Sequence, residues 1–301
     1  MRIIAIDIGY GHCKVVYKEK RIKEFKFPTA IAFHKENIYG LDESKAAYNF
    51  EGKQYLVGED AIMNAIDLRD PSMLMKYAPL FLTHAIKLTG INDFDIVSTG
   101  ISVLNYKYKK TLQENLKSFI VNGERFRFKK VLVSFQGQGV IYDEKVENDN
   151  VLVIDGGYLT LDAIHFNRGK INPDGAYATK LGVSRIVEEV QREVMKVTDY
   201  EYSMAEINEA MKRGYVMSFG DKIDITKIVQ EAVDNYALEF RTTIKGKMAK
   251  YLNSVNKIVI AGGLAHLVKN SNNMPKNVIY ASHPEYANTR GYFVIAGGSL
   301  S

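Results

Sequence analysis

The sequence predicts an α/β protein built from two similar halves. Residues 3–10, IIAIDIGY, and residues 151–158, VLVIDGGY, each show an apolar run that ends in aspartate and continues as x-Gly-Tyr, 148 positions apart. Continuous Val, Ile and Leu runs are typical of strands covered on both faces. Residues 224–252 add a long amphipathic helical pattern. A duplication over this distance predicts two similar domains that face each other across a cleft.

Each apolar run opens a predicted hairpin. Residues 14–17, KVVY, and 162–165, DAIH, are expected to be the returning strands. Glycine permits the tight turn between the strands because it adopts positive φ without steric cost. A single hairpin of this kind is a common structural turn, whereas two at matching positions indicate a shared role in the two halves.

The first predicted domain spans residues 1–140. After the hairpin we expect a hairpin-rich insertion at 28–53, helices at 60–88 broken at Pro71 and Pro79, a helix at 105–116, a hairpin at 119–128 turning at Asn122-Gly123, and a buried strand from 131 that ends in Gln-Gly-Gln-Gly. Proline interrupts helices, and Asn-Gly is a strong hairpin signal. The final strand and its polar loop are interpreted as the first crossover between the domains.

The second predicted domain spans residues 151–282. After its hairpin we expect a helix at 185–196, a small helical insertion at about 199–222, the long helix at 224–252 and a strand-plus-glycine run at 258–263. Ser184 precedes the first of these helices and is expected to cap it.

Composition narrows the class of protein. Of 301 residues, 46% are hydrophobic and 25% charged, which is the profile of a soluble globular protein of about two domains. Cys13 is the single cysteine, which excludes an intramolecular disulfide and a cysteine-cluster metal site and fits a reducing cytoplasm. The six histidines form no HxxxH or HExxH pair. Neither a signal-peptide pattern nor a membrane-length apolar stretch is present, so we expect a cytoplasmic protein that makes no membrane contact.

The basic residues are concentrated in one stretch. The chain has a net charge of +5, and residues 107–130 interleave lysine and arginine with aromatic residues. Such a patch could meet an acidic partner or nucleic acid. Solvated faces of a helix and a hairpin are the favoured explanation, and direct nucleic-acid binding is not expected.

The two predicted turns suit a polyphosphate. Backbone N–H groups around a glycine turn form a concave anion site. Asp7 and Asp155 stand at the ends of the two strands, and a pair of carboxylates beside phosphates is the usual arrangement for holding hydrated Mg²⁺ through water. Lys14 adds a point charge for phosphate oxygens. The chain has neither GxxxxGK[ST] nor a clean GxGxxG opening a helix, so the predicted nucleotide site is of another type.

Four motifs in chain order resemble the actin, Hsp70 and sugar-kinase superfamily. Residues 7–14, DIGYGHCK, look like the first phosphate loop of actins. Residues 154–162, IDGGYLTLD, look like the second phosphate loop and end like the plasmid-segregating ParM/StbA branch. Residues 258–263, IVIAGG, resemble the adenosine motif, and residues 284–292, PEYANTRGY, resemble the C-terminal signature of the ParM/StbA branch and its archaeal relatives. The resemblance implies an actin-like fold of duplicated ribonuclease-H-like domains with a nucleotide cleft between the halves.

The resemblance also implies roles for individual residues. The crossover would supply the residue that orients the attacking water, with Gln136 as the first candidate and Gln138 as the second. Asp7 and Asp155 would join it in catalysis. A C-terminal helix, residues 285–301, would return to the first domain.

The residues expected to contact nucleotide lie at five places along the chain. They are Gly9, Tyr10, Gly11, His12 and Lys14; Gly157, Tyr158, Leu159 and Thr160; Gly182; Arg241 and Lys245; and Gly262, Gly263 and Leu264. Tyr158 stands where a small residue is usual, so the second loop is expected to approach the phosphates less closely. Arg241 and Lys245 could reach adenine or ribose, or could simply belong to a solvated helix face.

The favoured function is that of a filament-forming actin-like protein that binds and hydrolyses ATP or GTP with Mg²⁺, as a nucleoside triphosphatase coupled to polymerisation in plasmid or DNA segregation. Its partners would be further copies of itself, head to tail, and a DNA-binding adaptor. The alternative is a non-polymerising small-molecule kinase or regulatory ATPase. A kinase would need a cleft aspartate to activate a substrate hydroxyl, where this chain has Gln136. The preferred base, the filament architecture and handedness, the cargo and the plasmid, phage or chromosomal origin stay open.

Overall fold

The computed structural model describes residues 1–34, 47–269, 271 and 278–300. The chain divides into two compact units. Unit 1 comprises Met1–Glu147 and Glu285–Ser301, and unit 2 comprises Asn148–Pro284. Part of the insertion predicted at 28–53 lies outside the described residues.

The elements of unit 1 from its first strand to residue 143 follow the predicted order. They are β1 (Ile3–Ile8), β2 (His12–Lys18), β3 (Ile22–Pro28), β4 (Ile31–Phe33), β5 (Tyr48–Phe50), β6 (Lys53–Val57), α1 (Pro71–Thr89), β7 (Ile96–Ile101), α2 (Lys109–Lys117), β8 (Ser118–Val121), β9 (Glu124–Arg127), β10 (Lys130–Phe135) and α3 (Gln138–Asp143), with 3₁₀ helices at Gly58–Asn64 and Val103–Tyr108.

The sheet that positions the first loop has the strand order β10-β7-β1-β2-β3. Strands β1, β7 and β10 run parallel, whereas β1, β2 and β3 form an antiparallel meander. Ile4, Ala5 and Ile6 at its centre are fully buried, as expected for a strand covered on both faces. Because parallel strands end at the same edge, the segments that follow β1, β7 and β10 meet there.

Helix α1 corrects one expectation from the sequence. Pro71 occupies its first turn, where Asp70 caps it by accepting from the Ser72 N–H, but Pro79 lies inside a continuous helix. A proline in a helix removes one N–H donor and leaves the carbonyl four residues earlier without its partner. Here that carbonyl belongs to Met75, and the Asn115 side-chain amide of α2 donates to it at 2.9 Å. The helix therefore continues through Pro79.

We expect Asn115→Ala to lower the free energy of unfolding by about 1–3 kcal/mol, because it leaves the buried Met75 carbonyl without a donor. Urea or thermal unfolding measures the change. Glu114→Ala is the matched control on an exposed position of the same helix, with an expected effect within about 0.5 kcal/mol. Equal stabilities of the two variants would contradict this explanation of the unbroken helix.

The basic stretch folds as the expected helix and hairpin. Strands β8 and β9 pair around Asn122-Gly123, which confirms the predicted turn. Arg125 and Arg127 lie on the exposed face of this hairpin, while Phe119 and Phe126 stack on its other side.

Among the described residues, no helix is long and apolar enough to span a membrane.

Unit 2 begins with a second hairpin and contains the longest helix. Its elements are β11 (Asn150–Gly156), β12 (Leu161–Asn167), β13 (Lys170–Thr179), α4 (Ser184–Thr198), α5 (Met204–Arg213), β14 (Tyr215–Ser218), β15 (Asp221–Asp224), α6 (Thr226–Leu252), β16 (Lys257–Ala261), α7 (Leu264–Val268) and β17 (Val278–Tyr280). The long helix predicted at 224–252 is confirmed as α6.

The main sheet of unit 2 has the same strand arrangement as the main sheet of unit 1. Its order is β13-β12-β11-β16-β17, in which β11 pairs antiparallel with β12 and parallel with β16. Strand β11 therefore corresponds to β1, β12 to β2 and β16 to β7. This correspondence confirms the duplication that the two apolar runs predicted.

The insertion predicted as helical at about 199–222 is only partly so. Helix α5 begins with a capping box between Ser203 and Glu206, and a two-stranded hairpin, β14–β15, follows it. The hairpin turns at Phe219 and Gly220, both with positive φ. Glycine is usual in such a turn and phenylalanine is not, which is why the turn gave no clear signal in the sequence.

The last helix, α8 (Ala287–Ile295), belongs to unit 1. It packs closely on α3, since a Cβ at Gly291 would lie 1.8 Å from the Gly139 carbonyl oxygen. The half-buried Arg290 side chain pairs with Asp143 at 2.7 Å and with Glu24. Helix α8 is thereby fixed against the segment that follows β10.

Candidate functional site

The first loop lies between β1 and β2, and three polar side chains of unit 1 meet beside it. Asp7 is buried and stands opposite Lys14 in the antiparallel ladder. The Lys14 ammonium donates to Asp7 Oδ2 at 3.3 Å, and the Gln136 side-chain amide donates to Asp7 Oδ1 at 3.2 Å. The structure thus brings together Asp7, Lys14 and Gln136, three residues that the sequence singled out.

The structure separates the two candidate glutamines. Gln136 follows β10 and contacts Asp7, whereas Gln138 is the first residue of α3. Between them, Gly137 has φ +86° and its N–H donates to the Asn288 side-chain oxygen of α8 at 2.8 Å. Asn288 lies within the predicted C-terminal signature, residues 284–292, but its contact with Gly137 was not visible in the sequence because the two residues are 151 positions apart.

The orientation of the Gln136 amide follows from its neighbour. An ionised carboxylate only accepts hydrogen bonds, so the NH₂ group of the glutamine must face Asp7. The carbonyl oxygen, Oε1, is then directed away from Asp7. A water molecule there could donate a hydrogen bond to Oε1 and be held in a fixed direction.

Thr29 supports the first loop from behind and was missed in the sequence. Its hydroxyl donates to the Gly9 carbonyl at 2.6 Å, and its backbone N–H donates to the Gly11 carbonyl at 3.1 Å. With both carbonyls fixed, the Gly9–Tyr10 and Gly11–His12 peptide planes are restrained. This support was not visible in the sequence because Thr29 follows β3, the third strand of the meander.

We expect Thr29→Val to lower the free energy of unfolding by about 1–2 kcal/mol and to weaken the binding of any phosphate ligand at the loop, because the Gly9 carbonyl loses its donor. Denaturant unfolding and a fluorescent-nucleotide titration measure the two effects. Thr29→Ser keeps the hydroxyl and is the matched control. Loss of loop function in the serine variant as well would show that the methyl group, not the hydroxyl, matters.

Cys13 and His12, the first two residues of β2, differ in exposure. Cys13 is buried, with its sulfur 3.4 Å from the Thr29 hydroxyl, and burial raises the pKa of its thiol to about 12. It therefore stays protonated at neutral pH, which excludes a reactive thiolate. The His12 side chain is exposed.

The second hairpin differs from the first at one charged position of its ladder. Asp155 stands directly opposite Asp162 in the β11–β12 ladder, and both are buried. Directly opposite residues of an antiparallel pair project their side chains on the same face of the sheet. Lys14 and Asp162 occupy equivalent positions in the two hairpins, so the first hairpin carries an acid–base pair and the second carries two acids.

The two acids of the second hairpin fit a hydrated cation better than a closed metal centre. Within the described residues, no group of three or more His, Cys, Asp or Glu side chains could enclose a metal ion. Magnesium keeps several waters and takes one or two carboxylates together with substrate phosphates. The pair at Asp155 and Asp162 provides that donor set.

The start of α4 holds the second loop through its backbone. The N–H groups of Val183 and Ser184 donate to the carbonyls of Gly157 and Tyr158 at 3.0 and 2.8 Å. Gly182 must be glycine here, because a Cβ would lie 2.4 Å from the Tyr158 carbonyl oxygen. The expected cap at Ser184 is wrong: Val183 is the N-cap, and it makes no side-chain capping bond.

The segment after β16 packs against Asp155 and Gly156. Gly262 has φ +80°, and a Cβ there would lie 2.3 Å from the Gly156 carbonyl oxygen and 2.7 Å from Asp155 Oδ1. Leu264 covers Gly156 from the same side, and Gly263 between them is the N-cap of α7. The structure thus brings the predicted adenosine motif into contact with the second loop.

Arg241 and Lys245 are not part of this cluster. They line an open depression of about 580 Å³ on α6, together with Leu238, Thr242 and Gly246. Both side chains are exposed and, within the described part of the chain, make no hydrogen bond or ion pair. Their predicted contact with adenine or ribose stays a prediction.

The chain matches two family models and known structures. A model of the N-terminal domain of actin like proteins matches residues 5–139, and a model of the C-terminal domain of the archaeal actin homologue, MreB-like, matches residues 153–272. No curated protein matches the chain significantly.

Solved structures with the same fold cover almost the whole chain. The archaeal actin homologue Ta0583 is 20% identical, with a TM-score of 0.82 and 99% of each chain covered. Its complex with ADP is 18% identical, with a TM-score of 0.80 and the same coverage. A 15-stranded ParM filament from Clostridium botulinum is 22% identical, with a TM-score of 0.77 over 98% of this chain and 99% of that one. These similarities confirm the predicted actin-like fold, and the two family models identify residues 5–139 as similar to the N-terminal domain of actin like proteins and residues 153–272 as similar to the C-terminal domain of the archaeal MreB-like actin homologue.

Proposed function

We propose that this chain is a nucleoside triphosphatase that assembles head to tail into filaments in a nucleotide-dependent way. The observation that carries the proposal is the pair of equivalent hairpins, each with a buried aspartate at the end of its first strand. In this proposal the first loop of unit 1 and the second loop of unit 2 both contact the phosphates of ATP or GTP through their backbone N–H groups.

Each polar residue of the proposed site has a separate chemical role. Lys14 neutralises charge on the phosphate oxygens, and its contact with Asp7 keeps it beside the first loop. Gln136, oriented by Asp7, holds the attacking water through Oε1, so its contribution is positioning and not proton abstraction. Asp155 and Asp162 would hold Mg²⁺, which would supply charge neutralisation for the phosphates. The predicted share of Asp7 in holding the ion stays a prediction. The assignments to Gly9, Tyr10, Gly11, His12, Tyr158, Leu159, Thr160 and Gly182 as backbone contacts belong to the same proposal, whereas the Gly157 N–H donates to the Thr160 carbonyl at 2.8 Å and closes the turn.

Assembly is supported by two solved structures with the same fold. ParM of Clostridium botulinum forms a 15-stranded filament, and Alp12 also forms a filament. A heterologous contact between identical chains that does not close into a ring generates an open helical polymer. By the same likeness we propose that this protein acts in the cytoplasm in plasmid or DNA segregation, through a DNA-binding adaptor.

Sedimentation with Mg²⁺ and ATP or GTP tests the proposal. We expect the protein to pellet with a triphosphate, and phosphate release per chain to rise with protein concentration. A protein that binds neither nucleotide, or stays monomeric at high concentration with both, would contradict it. Phosphate release that depends on an added sugar or acid would instead indicate a kinase.

A further inference from the structure

Two tyrosines occupy equivalent places in the two hairpins and make the same contact. Tyr10 follows Gly9 in the first loop, and Tyr158 follows Gly157 in the second. The Asn105 side-chain amide donates to the Tyr10 hydroxyl at 3.2 Å. The Asn208 side-chain amide donates to the Tyr158 hydroxyl at 3.4 Å.

The two asparagines come from different elements. Asn105 lies in the 3₁₀ helix Val103–Tyr108 directly after β7. The strand equivalent to β7 in unit 2 is β16, which leads into α7. Asn208 lies instead in α5, in the insertion between β13 and α6. The duplication of the hairpins explains the two tyrosines, but it does not explain why each of them meets an asparagine.

Each contact ties the tip of a loop to a well-anchored helix. Tyr10 packs against the core of unit 1, and Asn105 is buried. Burial raises the pKa of the Tyr10 hydroxyl, which therefore stays a neutral hydrogen-bonding group. In unit 2, α5 is held at its start by the Ser203–Glu206 capping box and at its end by Gly214 in the left-handed conformation. Both asparagines are thus fixed points relative to the loops.

We propose that Tyr10 and Tyr158 are positioning residues, each of which fixes the N–H groups of its own loop through a hydrogen bond to Asn105 or Asn208. The inference rests on the proposed function, because the N–H groups are those assigned to the phosphates. A loop whose donors are held in place before binding does not have to be ordered by the ligand, and its affinity is higher for that reason. The tyrosine side chains need not contact the nucleotide.

Removal of a single oxygen atom tests this role. We expect Tyr158→Phe to speed amide hydrogen exchange at residues 157–160 about threefold to tenfold in the nucleotide-free protein, the ratio that corresponds to one lost hydrogen bond. Its affinity for the triphosphate should fall by a similar factor, while its affinity for the unphosphorylated nucleoside should stay the same. Tyr10→Phe should do the same at residues 9–12.

Tyr202→Phe is the matched control in unit 2. It removes a hydroxyl that donates to the Met217 carbonyl at 2.7 Å, within the same insertion but away from the loop. We expect it to leave hydrogen exchange at residues 157–160 and triphosphate affinity unchanged. A loop effect as large as that of Tyr158→Phe would show that any loosening of the insertion disturbs the loop, and would overturn the specific role of the tyrosine.

Substitutions of Asn208 test the same hydrogen bond from its other partner, and one of them should restore slow hydrogen exchange. Asn208→Ala should match Tyr158→Phe, and the double variant should lose nothing further, because the two changes remove one interaction. Asn208→Asp should restore slow exchange, since the tyrosine O–H can donate to a carboxylate. Unchanged exchange at residues 157–160 in Tyr158→Phe would overturn the inference. Failure of the wild-type protein to bind any triphosphate would instead overturn the proposed function, because the exchange measurement does not depend on nucleotide.

Discussion

Gly262→Ala is expected to lower the free energy of unfolding by about 2–5 kcal/mol and to abolish measurable nucleotide binding. Two costs add at this position. The backbone has φ +80°, which L-residues with a side chain rarely adopt. A Cβ would also lie 2.3 Å from the Gly156 carbonyl oxygen and 2.7 Å from Asp155 Oδ1. The backbone of β11 cannot move away without disturbing the sheet, so Asp155 has to shift.

Gly262→Ala should weaken nucleotide binding by more than its loss of folding stability alone explains. Asp155 is one of the two buried acids proposed to hold Mg²⁺, and a shift of about 1 Å at a positioning group can cost on the order of a hundredfold in function. Thermal unfolding and titration with a fluorescent nucleotide, at a temperature where the variant is folded, measure the two effects separately.

Gly263→Ala is the matched control for stability. This neighbouring glycine has helical φ of −61°, and a Cβ there would meet no atom within 4 Å. Its stability should therefore change by less than about 1 kcal/mol. If Gly262→Ala binds nucleotide as tightly as the wild type, the contact between the strand-plus-glycine segment and Asp155 has no part in the site.

The hairpins could be predicted from sequence because their signal is local and repeated. An apolar run, an aspartate and a glycine turn lie within a few residues of one another, and the second copy supports the interpretation of the first. The equivalence of β1 with β11 extends this to the whole sheet, because both strands stand at the centre of sheets with the same order. Buried central strands leave few alternative pairings.

Features that depend on a distant partner could not be predicted in this way. The break expected at Pro79 does not occur, because Asn115 supplies a donor to the Met75 carbonyl from another helix. Nothing near Pro79 in the sequence indicates that donor. Thr29 supports the first loop from 20 positions away and belongs to no motif. Asn288 lies within the predicted C-terminal signature, but its contact with Gly137, 151 positions away, was not visible in the sequence.

The difference between the two hairpins needed the register of the strands. Asp162 was visible in the sequence as the end of the second motif, but its position directly opposite Asp155 follows from the ladder. The equivalent position in the first hairpin holds Lys14. The first hairpin therefore carries an acid–base pair, and the second carries two acids whose negative charge a cation would balance.

Gln136→Ala is expected to slow nucleotide hydrolysis about a hundredfold and to leave nucleotide affinity within about threefold of the wild type. The reason lies in the contact with Asp7, which turns the NH₂ group of Gln136 inward and directs Oε1 away from the carboxylate. Alanine removes the acceptor for the attacking water, but Asp7 keeps the Lys14 ammonium at its other oxygen. Filaments of the variant should form normally and persist longer, because we propose that hydrolysis loosens the contacts between chains and so times disassembly.

Gln138→Ala is the matched control, two residues further along the chain. Gln138 begins α3 and, unlike Gln136, does not contact Asp7. Single-turnover phosphate release measures hydrolysis, and light scattering measures assembly and disassembly. A normal hydrolysis rate in Gln136→Ala, with a slow rate in Gln138→Ala, would transfer the positioning of water to Gln138. Normal rates in both variants would place that role outside the crossover segment altogether.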